Sequence, residues 1–138
     1  MPTNKTPGDR QYTLTHEWVK QAEGGILLGV TAPLLERLGT LISVELPGPD
    51  DEMMLGVPFG TMESIGGLHE MMPPGDARVL ETNEAMLWDL DGLRADPYDK
   101  GWLLKVQARD PEQFKGLIGA KAYEEHCKNL WGKGSKSG

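Results

Sequence analysis

Cysteine is almost missing from this 138-residue chain, with Cys127 its only one. A single thiol excludes an internal disulfide and any zinc site built on several cysteines. A reducing cytoplasm is the compartment it suggests. Long apolar runs are missing as well. None approaches the ~18–20 residues of a membrane span, and residues 1–10 have no apolar stretch of the kind a secretory signal carries. Positive charge is in deficit. The 14 Lys and Arg face 21 Asp and Glu, for a formal net charge of −7 and a pI of about 4.9. Nucleic acid and anionic membrane both require clustered Lys and Arg, so neither is an expected partner, whereas basic protein surfaces are. Catalytic signatures are missing too. There is no G-x-S-x-G, paired C-x-x-C or H-E-x-x-H. The glycines at 60, 66 and 67 lack the Lys-Ser/Thr and the helix that would make a phosphate cradle.

Turns are abundant. With 18 glycines and 10 prolines spread along its length, the chain reads as one β-rich domain of many short elements. Residues 1–10 are expected to be a flexible arm, 11–131 the folded domain, and 132–138 a flexible Gly/Ser/Lys tail. Strand pieces are expected at 12–15 and 17–20, a buried strand at 26–30, and further strands at 41–46, 77–82 and 102–108. Thr31, Pro33 and Gly39 punctuate a short helix on which Leu34, Leu35 and Leu38 share a face. Residues 52–57 read as a loop and 83–88 as a helical turn. Asp110 and Pro111 open a helix, and a second one covers 120–131 with Ala122, Tyr123 and Cys127 on one side.

The central stretch runs from Gly60 to Pro74. It reads as a strand, a glycine turn at Gly66-Gly67, and a return strand stopped by Pro73-Pro74. Met53, Met54, Met62, Met71, Met72 and Met86 gather around it, as core filling or as an adaptable docking surface. His16, His69 and His126 are far apart, and none has a partner at metal-ligand spacing. His16 is read as structural and His126 as solvated. His69 sits near the hairpin tip beside Glu70 but lacks the orienting third group of an acid–base site.

Read in order, the chain resembles the glycine cleavage H protein family from about Tyr12 to Cys127. The resemblance rests on Thr15-His16-Glu17-Trp18-Val19, Gly29-Val30-Thr31, Leu38-Gly39, Val44-Glu45-Leu46-Pro47, Phe59-Gly60, Glu63-Ser64 and Pro74. It continues through Asn83-Glu84-Ala85, Asp96-Pro97-Tyr98, Gly101-Trp102-Leu103 and Ala122-Tyr123. It implies a mainly β fold with added helices: a barrel-sandwich hybrid of the lipoyl/biotinyl-carrier type, with a short helix after Thr31 and C-terminal helices. In the family, the lysine two positions after Glu-Ser carries lipoate. The position in register here is Gly66, and no lysine lies between Lys20 and Lys100. The expectation is therefore an H-protein-like domain with no cofactor, no metal and no catalytic residues. Glu63, Ser64, Ile65, Gly66, Gly67, Leu68, His69 and Glu70 would form a docking hairpin. Its partners would be glycine-decarboxylase-like, aminomethyltransferase-like or lipoate-handling enzymes. One alternative is a glycine-cleavage component with an altered acceptor site. Another is a catalytic or carrier role for His69 or Cys127.

Overall fold

The computed structural model describes residues 6–132. The expected arm and tail fall partly outside that range, at residues 1–5 and 133–138. Within it, nine strands form two antiparallel sheets. The larger is built from β1 (Gln11–Tyr12), β2 (Glu17–Ala22), β3 (Gly25–Val30), β5 (Glu52–Met53), β8 (Ala77–Thr82) and β9 (Leu104–Ala108), in the order β1-β2-β3-β9-β8-β5. The smaller contains β4 (Leu41–Glu45), β6 (Gly60–Ser64) and β7 (Gly67–Met71), in the order β4-β6-β7. Their inward side chains form one core that includes Leu28, Val30, Met62, Met71, Val79 and Val106. This is the expected barrel-sandwich hybrid.

Local chemistry explains most element ends. The run Ile26 to Val30 becomes β3, and Gly29 lies directly under the Trp18 indole. A Cβ there would come 2.4 Å from the ring. Helix α1 (Ala32–Leu38) carries Pro33 in its first turn, buries Leu34, Leu35 and Leu38, and stops at Gly39, whose φ is 78°. Thr31 precedes it but makes no side-chain cap. Its hydroxyl lies 2.6 Å from the Tyr123 hydroxyl instead. Residues Glu84–Leu87 make the expected helical turn, of 3-10 type.

Several elements differ from the sequence reading. The loop expected at 52–57 contributes β5, which pairs with β8. Helix α2 (Leu90–Ala95) was not anticipated; Asp89 caps it by accepting from the Gly92 N–H. The helix expected after Asp110 is a single 3-10 turn, Pro111–Phe114. The last helix, α3, covers Ala120–Cys127 and continues as a π turn through Gly132. Of the three side chains expected to face inward there, Tyr123 is buried, Cys127 is half-buried and Ala122 is exposed.

A second, smaller core lies between β1, β2, α1 and α3. It contains Tyr12, Trp18, Ala32, Tyr98 and Tyr123. The Tyr12 and Tyr123 rings stack at 4.9 Å. Arg10 closes this core: its guanidinium lies 4.5 Å above the Trp18 ring and donates to the Tyr98 carbonyl at 2.6 Å.

Candidate hairpin site

The hairpin is β6 and β7, and its turn sits one residue earlier than expected. Ser64 and Gly67 are the closing pair, so the two-residue loop is Ile65-Gly66, and Gly67 already belongs to β7. Ser64 sets this register. Its buried hydroxyl accepts from the Gly66 N–H at 3.1 Å and donates to the Gly67 carbonyl at 2.9 Å. Gly67 supplies the positive φ, 134°. Met71 is the last residue of β7, as expected from the two prolines that follow.

The tip rests on the carboxyl end of α1. The Gly66 N–H also donates to the Leu38 carbonyl at 3.1 Å, and the Ile65 N–H donates to the Thr40 carbonyl at 3.0 Å. The first of these bonds satisfies a carbonyl that the helix end leaves open. Together they bring two backbones very close. A Cβ on Gly66 would lie 2.7 Å from the Leu38 oxygen and 3.2 Å from the Arg37 oxygen.

The hairpin side chains divide between solvent and core. Ile65 and Leu68 are exposed, and so are Glu63, Gly66, Gly67 and Glu70. Ser64 is buried, and His69 turns inward with 18% of its side chain exposed. His69 Nε2 lies 3.8 Å from Glu17 Oε2 and makes no hydrogen bond among the described residues. Glu70, its neighbour in sequence, makes no hydrogen bond or ion pair with it among the described residues.

In sequence Glu17 belongs to a strand and to the family-like segment Thr15-His16-Glu17-Trp18-Val19, with no role of its own assigned. It is a fully buried carboxylate. It accepts hydrogen bonds from Thr13 Oγ1 at 2.7 Å, Thr15 Oγ1 at 2.5 Å and the Met72 N–H at 3.0 Å. The available signal was Thr13-x-Thr15-x-Glu17, two hydroxyls set close before an acid at a strand start. His16, with φ of 79°, makes the turn that folds these hydroxyls back.

The other candidates pack into the fold to different extents. His16 Nδ1 lies 2.7 Å from the Tyr123 hydroxyl, and its ring packs 4.7 Å from Trp131. Burial, with lesser contributions from His126 and His69, lowers its pKa to about 4. His126, expected to be solvated, is partly covered. Its Nε2 lies 2.9 Å from the Leu14 carbonyl oxygen, and its ring lies 5.7 Å from that of His16. Burial raises the pKa of the Cys127 thiol, which opposes thiolate chemistry. Met53, Met62, Met71 and Met86 are buried, Met72 is half-buried, and Met54 is exposed. Most of the methionine cluster is therefore core filling. Among the described residues, no group of three or more His, Cys, Asp or Glu is placed to hold a metal ion.

Covalent lipoate does not fit this hairpin. Residues 60–74 contain no lysine. At Gly66 the space a side-chain stem would need is taken by the Leu38 carbonyl.

Comparison with known proteins agrees with the fold. A sequence model of the family described as Glycine cleavage H-protein matches residues 10–130. The glycine cleavage system H protein of Staphylococcus saprophyticus is 35% identical over 119 residues, which are 86% of this chain and 94% of that protein. The one from Myxococcus xanthus is 33% identical over 123 residues, 89% of this chain and 95% of that protein. The crystal structure of a glycine cleavage system H protein from Mycobacterium marinum superposes with a TM-score of 0.79. Its identity is 32%, and the match covers 86% of this chain and 96% of that one. With nearly the whole folded length matched in both sequence and backbone, the chain belongs to the glycine cleavage H-protein family.

Proposed function

We propose that this chain is a non-lipoylated H-protein-like domain that works by docking and carries no cofactor. Its partners are proteins of the glycine cleavage type: decarboxylase-like, aminomethyltransferase-like or lipoate-handling enzymes. It performs no catalysis itself, and the cytoplasm is its place of action. The observation that carries this reading is the seat of Gly66. The residue in register with the expected acceptor has no amine, and its backbone is hydrogen-bonded against the end of α1. A lysine there would have to lift the tip away from Leu38.

The test is intact-mass spectrometry after co-expression with a lipoate ligase and supply of lipoate. The wild-type chain should show no lipoyl adduct. A stoichiometric adduct would sink the proposal. Gly66→Lys supplies the missing amine on the same scaffold. It should melt at lower temperature than the wild type and accept lipoate only in part. Full lipoylation at an unchanged melting temperature would mean that the tip is not committed to its seat.

A further inference from the structure

We infer that His69 and Glu17 form a proton-operated clasp: a protonated imidazole closes onto the buried carboxylate and ties the return strand of the hairpin to the turn before β2. The clasp rests on contacts within the chain, whether or not the domain docks to an enzyme.

Side chains alternate along β7. Leu68 and Glu70 point outward, while His69 and Met71 point inward. The residue across from His69 is Met62, which is fully buried. An imidazole in such a row is costly unless a polar group answers it. Glu17 is the group in reach. Its Oε1 accepts from the Thr13 and Thr15 hydroxyls, and its Oε2 accepts from the Met72 N–H. All three donors are neutral. No Lys or Arg pairs with Glu17 among the described residues. A buried carboxylate is costly without a cation beside it.

His69 is placed to be that cation. Its Nε2 is closed off from solvent, makes no hydrogen bond among the described residues, and lies 3.8 Å from Glu17 Oε2. That gap is too long for a hydrogen bond and short enough for strong attraction between charges. Closing it by about 1 Å would bring the pair to the length of a charge-assisted N–H···O bond. The same carboxylate oxygen already holds the Met72 amide, just past the end of β7. A second bond from His69 would grip the strand at two points. The hairpin would then be fixed to the turn by its return strand, as it is fixed to α1 by its tip.

Few other charges act on the pair. His16, on the turn itself, is close enough to feel His69, and burial keeps it neutral down to about pH 4. His126 lies beyond it, with the two rings 5.7 Å apart. Glu63 and Glu70 are exposed on the opposite face of the small sheet. A clasp that needs a charged imidazole is closed at the acid end of the interval in which histidine gains its charge, between about pH 8 and pH 5, and open at the other end. Its contribution to stability therefore grows as pH falls.

Thermal unfolding of the whole chain at about pH 8 and about pH 5.5 tests this in four forms. These are the wild type, His69→Gln, Glu17→Gln and the double variant. Glutamine at 69 stays polar and cannot take a charge. Glutamine at 17 keeps the shape of the side chain and removes its charge. The melting-temperature gap between the wild type and His69→Gln should widen by about 4 °C on going to the lower pH. The gap between Glu17→Gln and the double variant should stay constant. His16 and His126 are present in all four forms, so their own protonation cancels. A constant gap in the wild-type background, or equal widening in both backgrounds, would overturn the clasp. If Glu17→Gln fails to fold, the wild type and His69→Gln still decide, together with imidazole nitrogen spectra of the wild type. At the lower pH the His69 Nε2 proton should be visible and slow to exchange with water. Exchange as fast as that of a free imidazole would also overturn the clasp.

Discussion

At position 66 the distance to the Leu38 oxygen leaves no room for a methyl group. Gly66→Ala should therefore cost about 1–3 kcal/mol, the usual range for forcing an atom into packed surroundings. Urea unfolding measures it, and an unchanged midpoint would mean the tip moves freely off α1. That a glycine stands here was legible in the sequence. Why it must be small was not, because the obstacle is a carbonyl from a helix nearly thirty residues earlier. His16 makes a second residue-scale case. Its pKa falls from the ordinary 6.5 to about 4 in the folded chain, chiefly through burial. Below pH 6.5 the unfolded chain therefore takes up a proton that the folded chain refuses. Stability from this group is complete above pH 6.5 and declines as pH falls toward 4. At ~1.4 kcal/mol per pH unit, the loss has a ceiling of roughly 3 kcal/mol. His16→Asn keeps a residue type that tolerates a φ of 79°. It should be less stable at pH 7 yet lose less on acidification. Parallel stability curves for the two proteins between pH 6.5 and 4.5 would contradict burial as the cause.

The hairpin and α1 stabilise each other's ends. Helix α1 stops because Gly39 adopts a φ of 78° and ψ of −148°, a combination open to glycine and costly for other residues. That stop aims the Leu38 and Thr40 carbonyls at the Gly66 and Ile65 amides. Gly39→Ala should cost about 1–3 kcal/mol. It should also speed hydrogen exchange at the Ile65 and Gly66 amides more than at amides within β3 and β9. Uniform acceleration across all strands would show global destabilisation and no specific seat. The helix stop at Gly39 was readable from its punctuation. The hairpin register was misread by one residue, because Gly66-Gly67 is a good two-residue turn on its own. The deciding term is tertiary: the Ser64 hydroxyl and the Leu38 carbonyl both hold the Gly66 amide, and that makes Ile65-Gly66 the loop. Strand β5 and helix α2 were missed for a related reason. Each is very short, and each takes its definition from a partner: β8 for the first, the Asp89 cap for the second.

Across the whole molecule the architecture was legible because apolar alternation, turn residues and the ordered series of family-like segments all pointed the same way. The contacts between distant segments were not. Tyr123 illustrates this: from sequence it is one inward residue on a helix. In the fold it joins three parts of the chain. Its ring stacks on Tyr12, and its hydroxyl lies 2.7 Å from His16 Nδ1 and 2.6 Å from Thr31 Oγ1. One phenol thus ties β1, the turn before β2 and the start of α1 to the C-terminal helix. Tyr123→Phe keeps the ring and strips the hydroxyl. Two buried polar groups would lose their shared partner, at a cost of about 1–3 kcal/mol. Tyr123→Ala removes the ring as well and should cost about 3–5 kcal/mol, since the Tyr12 and Trp18 cluster would be left with a cavity. The first core, between the two sheets, does not include Tyr123. The seat of the hairpin on α1 should therefore outlast the loss. Tyr123→Phe should bind the partner enzymes proposed above as tightly as the wild type at 25 °C while melting earlier. A large drop in binding at a temperature where the variant is fully folded would tie the second core to the hairpin, and the division of labour between the two cores would have to be abandoned.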